Sequence, residues 1–258
     1  MGATEDDDIE AAAAELPEKE RLVGSLVGRF APFLSLGPGA RILDVGAANG
    51  ATLVAFAKAG FEATGVEPWA PAREVAHELA AQSGVEIEIV DGVAESMPVA
   101  DESVDLVYLY SVLEHVDDPD AVLREAVRVL RPGGGFFFST SAVLSPFQNE
   151  IRGFPLFPWY PGKLKRRIMT WARDHRPALV GHTTRPGFFW FHHRKIQRDL
   201  RELGFDHVID RWRLREGEQE GARAKVITAC ATNRSARFVG DVLTSGMEYL
   251  AVKRGPAA

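Results

Sequence analysis

The chain has 258 residues, of which 46% are hydrophobic and 26% charged, with a formal net charge of −6 and one cysteine, Cys230. That suffices for a full core in one domain with an insertion, it argues against a general nucleic-acid binder, and it excludes an intramolecular disulfide. The acidic run Glu5-Asp6-Asp7-Asp8 is the opposite of a basic leader, and no apolar run approaches the ~20 residues that span a bilayer, so a reducing, cytoplasmic setting without stable membrane insertion is expected.

Residues 1–16, acidic and then alanine-rich, read as a frayed lead-in. Between Glu18 and Leu36 the apolar residues Leu22, Leu26, Phe30 and Phe33–Leu34 predict a helix, ended by Pro38-Gly39. Ile42, Leu43 and Val45 then form a short apolar run without helical period, the mark of a strand buried on both faces. The run breaks at Gly46, passes Ala47-Ala48-Asn49 to Gly50, and enters a helical pattern from Thr52 to Lys58. Glycines between a strand and a helix N-terminus let a ligand approach the backbone. The spacing G-x-x-x-G departs from the dinucleotide fingerprint G-x-G-x-x-G.

The second strand, Phe61 to Val66, ends at Glu67 and is stopped by Pro68. A carboxylate there offers two oxygens to a vicinal diol; alternatively it is a surface acid favoured by the next helix dipole. Spacing from Asp44 and the proline stop favour the diol. Trp69 covers a base or simply packs. A helix over Ala72–Ser83, stopped by Gly84, leads to a third strand, Val85–Val90, and the turn Asp91-Gly92-Val93-Ala94-Glu95-Ser96-Met97-Pro98. Asp91 serves a ligand or caps the turn, with equal weight.

The fourth strand runs to Tyr110 and continues into Ser111-Val112-Leu113-Glu114-His115-Val116. His115 suits a general base by its ordinary pKa near 6.5, or is a structural hydrogen-bonder beside the pocket. A helix over Asp120–Leu130 ends at Arg131-Pro132-Gly133-Gly134-Gly135, and Phe136–Ser141 is the fifth strand. Strands alternating with helices imply right-handed crossovers and a doubly wound sheet, with ligands outside the strand carboxyl ends. Gly46, Glu67, Asp91 and Ser111 all belong to that edge.

Val143 to Trp190 is too long for an ordinary connection. It mixes prolines and aromatic residues with a basic helix, Lys163–Trp171, and returns through Gly181–His193. An acceptor lid, an interfacial membrane contact and a plain subdomain all fit, the lid first. His182, His192 and His193 lack an acidic partner motif, so no metal is expected. A helix from His193 to Leu203, a sixth strand from Phe205 to Leu214, a helical excursion within Ala222–Val242 and a last strand from Glu248 to Arg254 complete the chain.

Four of these stretches share a resemblance. Residues 41–50 resemble motif I of the class I S-adenosylmethionine-dependent methyltransferases, a hydrophobic strand followed by D-x-G-x-G-x-G, with Ala48 in place of the middle glycine. Residues 91–98 resemble the family loop G-D-A-x-x-L-P, with Val93 where the adenine-binding acid falls. Leu113-Glu114-His115-Val116, and Arg128-Val129-Leu130-Arg131-Pro132-Gly133-Gly134 after it, resemble segments of the small-molecule, methyltransferase-domain-11-like members. The resemblance spans about residues 20–142.

It implies an α/β, doubly wound, mostly parallel seven-stranded Rossmann-like sheet with a cap or lid after strand five, and a last strand that is antiparallel beside the sixth. The units are then 1–36, 37–142, 143–190 and 191–258, the first helix lying across the cleft or packing on the sheet edge. S-adenosylmethionine is expected at Asp44, Gly46, Ala47, Asn49, Gly50, Glu67, Pro68, Trp69, Asp91, Val93, Ala94, Glu95, Tyr110 and Ser111. The implied reaction is methyl transfer to a small-molecule, sugar-like (glycan) or lipid-linked acceptor, at oxygen, with His115, His182 or His192 as base. The departures at Ala48 and Val93 leave open a cofactor-binding pseudoenzyme or partner module. The glycine spacing disfavours a nicotinamide-dependent dehydrogenase. Charge and the lack of an N-P-P-Y-type motif disfavour nucleic acid.

Overall fold

Alternate residues of the central strands face opposite layers, which is why those strands read as unbroken apolar runs. The computed structural model describes residues 5–147, 150–180, 186–217 and 220–255. Its sheet has seven strands: β1 (Arg41–Val45), β2 (Glu62–Val66), β3 (Glu88–Val90), β4 (Val104–Tyr110), β5 (Leu130–Ser141), β6 (Phe205–Asp210) and β7 (Gly246–Lys253), in spatial order β3-β2-β1-β4-β5-β7-β6. The first five pair in parallel, and β7 runs antiparallel to both β5 and β6. The mostly parallel, doubly wound sheet inferred from the sequence is therefore the one found.

On one face Ile42, Leu106, Tyr108, Phe137 and Leu250 pack under α1 (Glu5–Phe30), α2 (Ala51–Lys58) and α3 (Ala70–Ser83). On the other, Leu43, Val45, Val107, Leu109, Phe136, Phe138 and Tyr249 meet α4 (Pro119–Val129) and α6 (His193–Glu202). Phe30 of α1 lies with its ring centroid 5.1 Å from that of Phe137, so the N-terminal helix is part of the core.

Several expectations need correction, among them the first helix, which stops at Phe30 rather than Leu36, and the third strand, which spans only Glu88–Val90 rather than Val85–Val90. Residues 5–16 are helical rather than frayed, because Ala12 and Leu16 are buried in the apolar cluster that α1 shares with α2 and α3 and extend its apolar stripe backward. Pro17 sits inside α1 and its carbonyl accepts from Arg21 Nε at 3.1 Å. The sixth strand stops at Asp210, not Leu214: the Asp210 carboxylate accepts from the amides of Trp212 and Arg213, each at 3.1 Å, and starts the short helix α7 (Arg211–Leu214). The fifth strand starts at Leu130, six residues early, with an irregular register opposite Val104 and Leu106 where the glycines lie. The excursion before β7 is a helical pair, α8 (Gly221–Thr232) and α9 (Arg234–Leu243), as expected.

Residues 143–190 leave the end of β5 and return beside it: Ala142 bridges Phe191, and the Phe191 amide donates to the Ser141 carbonyl at 3.0 Å. The segment carries its own small core of Ile151, Phe157, Met169, Ala172, Val180 and Trp190, which includes α5 (Gly162–His175).

Candidate functional site

Four parallel strands end on one edge, and the turns after them hold the candidate residues. The turn after β1 is shaped by left-handed backbone at Gly46 (φ 76°), Ala48 (φ 47°) and Gly50 (φ 75°). A Cβ on Gly46 would stand 2.5 Å from Val112 Cγ2, and one on Gly50 would collide with the Ala76 side chain. Gly50 therefore does the close helix packing for which the sequence offers no third glycine. The Gly46 and Ala47 amides donate to the Val66 carbonyl at 2.8 and 3.2 Å, which ties this turn to the end of β2. Asn49 Oδ1 accepts from the Ala51 amide at 3.2 Å, at the first turn of α2.

Glu67 continues β2 and is half-buried. Its Oε2 accepts from the Ala48 amide at 3.0 Å and its Oε1 from the Trp69 amide at 3.0 Å. Pro68 is exposed and the Trp69 side chain is 59% exposed, so the indole is not a core residue. Arg73 donates to the Glu67 carbonyl at 2.7 Å and to Asp91 Oδ1 at 3.3 Å. Asp91 thus keeps most of its carboxylate in solvent beside a cation. After β3, Val93 and Ser96 form a bridge that leaves Val93 partly exposed and Ala94 buried. Glu95 Oε1 accepts from the Asp117 amide at 2.8 Å and joins this turn to the one after β4. There Tyr110 is exposed, stacked on Tyr108, and Ser111 adopts φ 55°.

Asp44 lies beneath these turns, 3% exposed, and its Oδ2 has no hydrogen-bond partner among the described residues. Burial pushes its carboxyl up to about 7, opposed by the positive charge of Lys19 and reinforced by the negative charge of Glu67.

A second cluster stands where the cap meets the ends of β4 and β5. Glu114 is 2% exposed and its Oε2 accepts from Thr140 Oγ1 at 2.7 Å. Burial, with the Glu150 charge adding to it, raises its carboxyl to about 7 against the hydroxyl hydrogen bond. His115 Nε2 lies 3.8 Å from Glu150 Oε2, and Glu150 Oε1 accepts from Ser141 Oγ at 3.1 Å. The returning cap donates the Phe188 and Phe189 amides to the Glu114 carbonyl at 2.8 and 3.3 Å. The sequence reading singled out His115 but missed Glu150, which lies in irregular chain with no pattern to mark it. His192 is exposed at the N-cap of α6, and His182 lies outside the described residues.

Residues 43–138 match the family model of the methyltransferase domain. An uncharacterised methyltransferase of Mycobacterium sp. (strain JLS) is 40% identical over 141 residues, 54% of each chain. The ubiquinone biosynthesis O-methyltransferase of Pseudomonas entomophila (strain L48) is 38% identical over 106 residues, 40% of this chain and 44% of that one. The chain thus spans about half the length of the curated relatives it matches. Among solved structures, the YcgJ protein from Bacillus subtilis superposes with a TM-score of 0.56 at 22% identity, over 90% of this chain and 98% of that one. Phosphoethanolamine N-methyltransferase 2 of Haemonchus contortus, in complex with S-adenosyl-L-methionine, gives 0.57 at 15% identity, over 90% and 52%. These two establish a shared fold.

Proposed function

From a chain whose residues 43–138 are a class I S-adenosylmethionine-dependent methyltransferase domain, we infer that the protein moves the cofactor's methyl group to a hydroxyl of a small-molecule, sugar-like or lipid-linked acceptor. The observation that carries this reading is the pairwise linking of turns along one strand edge, Glu67 after β2 accepting from Ala48 after β1 and Glu95 after β3 accepting from Asp117 after β4, with the buried Asp44 at the end of β1. The residues fit the cofactor. Each Glu67 oxygen spends one lone pair on a backbone amide and keeps another for a ribose hydroxyl. Asp44 Oδ2 is a buried acceptor lacking a donor, and an ammonium group is a donor that suits it. The glycine turn admits a ligand against its backbone, and exposed Trp69 supplies an aromatic face for a base, with Asp91, Val93 and Ala94 following the neighbouring strand β3.

Bound there, S-adenosylmethionine supplies an electrophilic methyl on a sulfonium, so the chain's task is alignment of the acceptor rather than strong acid–base catalysis. Tyr110 and Ser111 end β4 between the glycine turn and the cap, and so stand at the boundary between cofactor and acceptor. An oxygen acceptor must lose a proton, and His115 is the described candidate base that lies beside carboxylates at this edge. The lone, buried Cys230 agrees with a reducing cytoplasmic setting. Among the described residues no helix is long and apolar enough to cross a membrane. The relative that carries a ubiquinone-pathway O-methyltransferase name supports oxygen as the acceptor atom.

The test is incubation of the full chain with trideuteromethyl-labelled S-adenosylmethionine and a small-molecule extract, read by mass spectrometry. Labelled products that retain the acceptor's carbon skeleton support transfer. Cofactor binding without any labelled product favours the pseudoenzyme reading instead.

A further inference from the structure

The methyl-transfer reading uses only His115 of the second cluster and gives no role to the carboxylates of Glu114 and Glu150. Glu114, His115 and Glu150 each offer one ligand atom, all within 4.8 Å of one another. Two carboxylates and one imidazole in a nearly closed space leave a surplus of negative charge when both acids are ionised. Such a surplus is costly in a low-dielectric site unless a cation or protons offset it. The His115 Nε2 to Glu150 Oε2 separation of 3.8 Å is too long for a hydrogen-bonded ion pair. It is, however, a distance at which two atoms flank a shared centre: ligands about 2.1 Å from one ion stand at most about 4.2 Å apart.

The surroundings are built as metal sites are built. Thr140 Oγ1 donates to Glu114 and Ser141 Oγ to Glu150, so each carboxylate is oriented by a hydroxyl from the end of β5. His115 Nδ1 is buried and has no hydrogen-bond partner among the described residues, so both ring nitrogens lack a proper partner. Gly187 leaves room for this arrangement, since a Cβ there would come within 2.8 Å of Glu150 Oε2. Two ligands come from the loop after β4 and the third from the cap, so the site exists only when the cap is folded against the sheet edge.

We propose that Glu114, His115 and Glu150 form a site for one divalent transition-metal ion, of the zinc or manganese class, at the junction of the cap and the sheet. Two oxygens and one imidazole nitrogen suit those ions better than magnesium or calcium, which favour all-oxygen sets. Three protein ligands leave positions open to a further donor. With an ion bound, the coordinating nitrogen of His115 would have no free lone pair, so His115 would not act as a base through that atom.

The experiment is titration calorimetry of Zn2+ and Mn2+ into the full chain after chelator treatment, with Glu150→Gln and His115→Asn alongside. Glu114→Gln is avoided as the lead variant because its burial endangers folding. The expected result is one equivalent of Zn2+ bound to the parent at micromolar or lower Kd, and at least ten-fold weaker binding in each variant. Both variants should retain the parent's circular dichroism and its S-adenosylhomocysteine affinity. That last measurement separates failure of this site from failure of the methyltransferase reading. No saturable binding of either ion, or equal binding by parent and both variants, overturns the site.

Discussion

The Glu67 carboxylate accepts a hydrogen bond from the Ala48 amide at 3.0 Å across the gap between two strand ends. Its other oxygen accepts from Trp69, so one side chain ties the glycine turn after β1 to the turn that starts α3. A carboxylate in that place shapes the rim of this strand edge, and under the proposed function its remaining lone pairs accept from a ribose diol. Glu67→Ala should therefore weaken S-adenosylhomocysteine by about 1–3 kcal/mol, the scale of hydrogen bonds to a charged group. Fluorescence-monitored equilibrium titration of the folded variant is the check; parent-like affinity would remove Glu67 from the ribose.

Gly46→Val should do more damage than the loss of a side chain. The valine would carry a β-branched Cβ at φ 76° and push it into Val112. Cofactor affinity should disappear and thermal stability should fall, while the far-ultraviolet spectrum keeps its α/β shape. Retained affinity would show that the turn does not hold the ligand.

Asp44 gives a signed dependence on pH. Its carboxyl is raised from an ordinary 3.8 to about 7, mainly by burial, with Lys19 and Glu67 as the charges that modify it. Between those values the native state keeps a proton that the unfolded chain has released, so this group's contribution to stability falls as pH rises and levels off above about 7. Asp44→Asn should remove that slope. Urea melts at pH 5 and pH 7.5 should show the parent losing more stability across the interval than the variant. Parallel losses would mean that Asp44 titrates normally.

The sequence made the sheet and its carboxyl edge legible because β1 to β5 follow a simple physical code of apolar runs, glycine or proline stops and intervening helices. Ile42, Leu43 and Val45 read as doubly buried, and they are. Where that code failed, tertiary contacts decided. Ala12 and Leu16 sit in an acidic, alanine-rich stretch whose helix is stabilised by burial rather than by its own pattern. Trp212 and Leu214 continue the apolar run of β6, yet the Asp210 cap turns them into a helix. Glu150 carries no local signal at all; its place beside His115 arises only when the cap folds back onto β5.

The cap has a core separate from the sheet's, and Phe157 is its centre. That ring is fully buried and contacts the rings of Phe154, Tyr160 and Trp190. Phe157→Ala should cost about 3–5 kcal/mol of local stability. Limited proteolysis should then cut within residues 150–180 while the seven-stranded sheet and its flanking helices stay associated and S-adenosylhomocysteine still binds. A variant as resistant as the parent would mean that the cap depends on the main core instead.

In the 143–190 segment, Trp159 is 53% exposed while its Nε1 is anchored on the Val143 carbonyl at 2.9 Å, and Arg166 lies 5.3 Å over the Phe188 ring. With an acceptor identified by label transfer, Trp159→Ala and Arg166→Ala should raise its KM several-fold and leave cofactor affinity intact. Unchanged KM in both would make the cap structural and move the acceptor pocket toward α1.

The account stands or falls on what the carboxyl edge binds. Titration calorimetry of the full chain with S-adenosylhomocysteine, and separately with NADH, measures this most directly. One equivalent of S-adenosylhomocysteine bound at micromolar Kd, with no saturable heat from NADH, is the expected result. Absence of S-adenosylhomocysteine binding by the folded protein, or a preference for NADH, would contradict it.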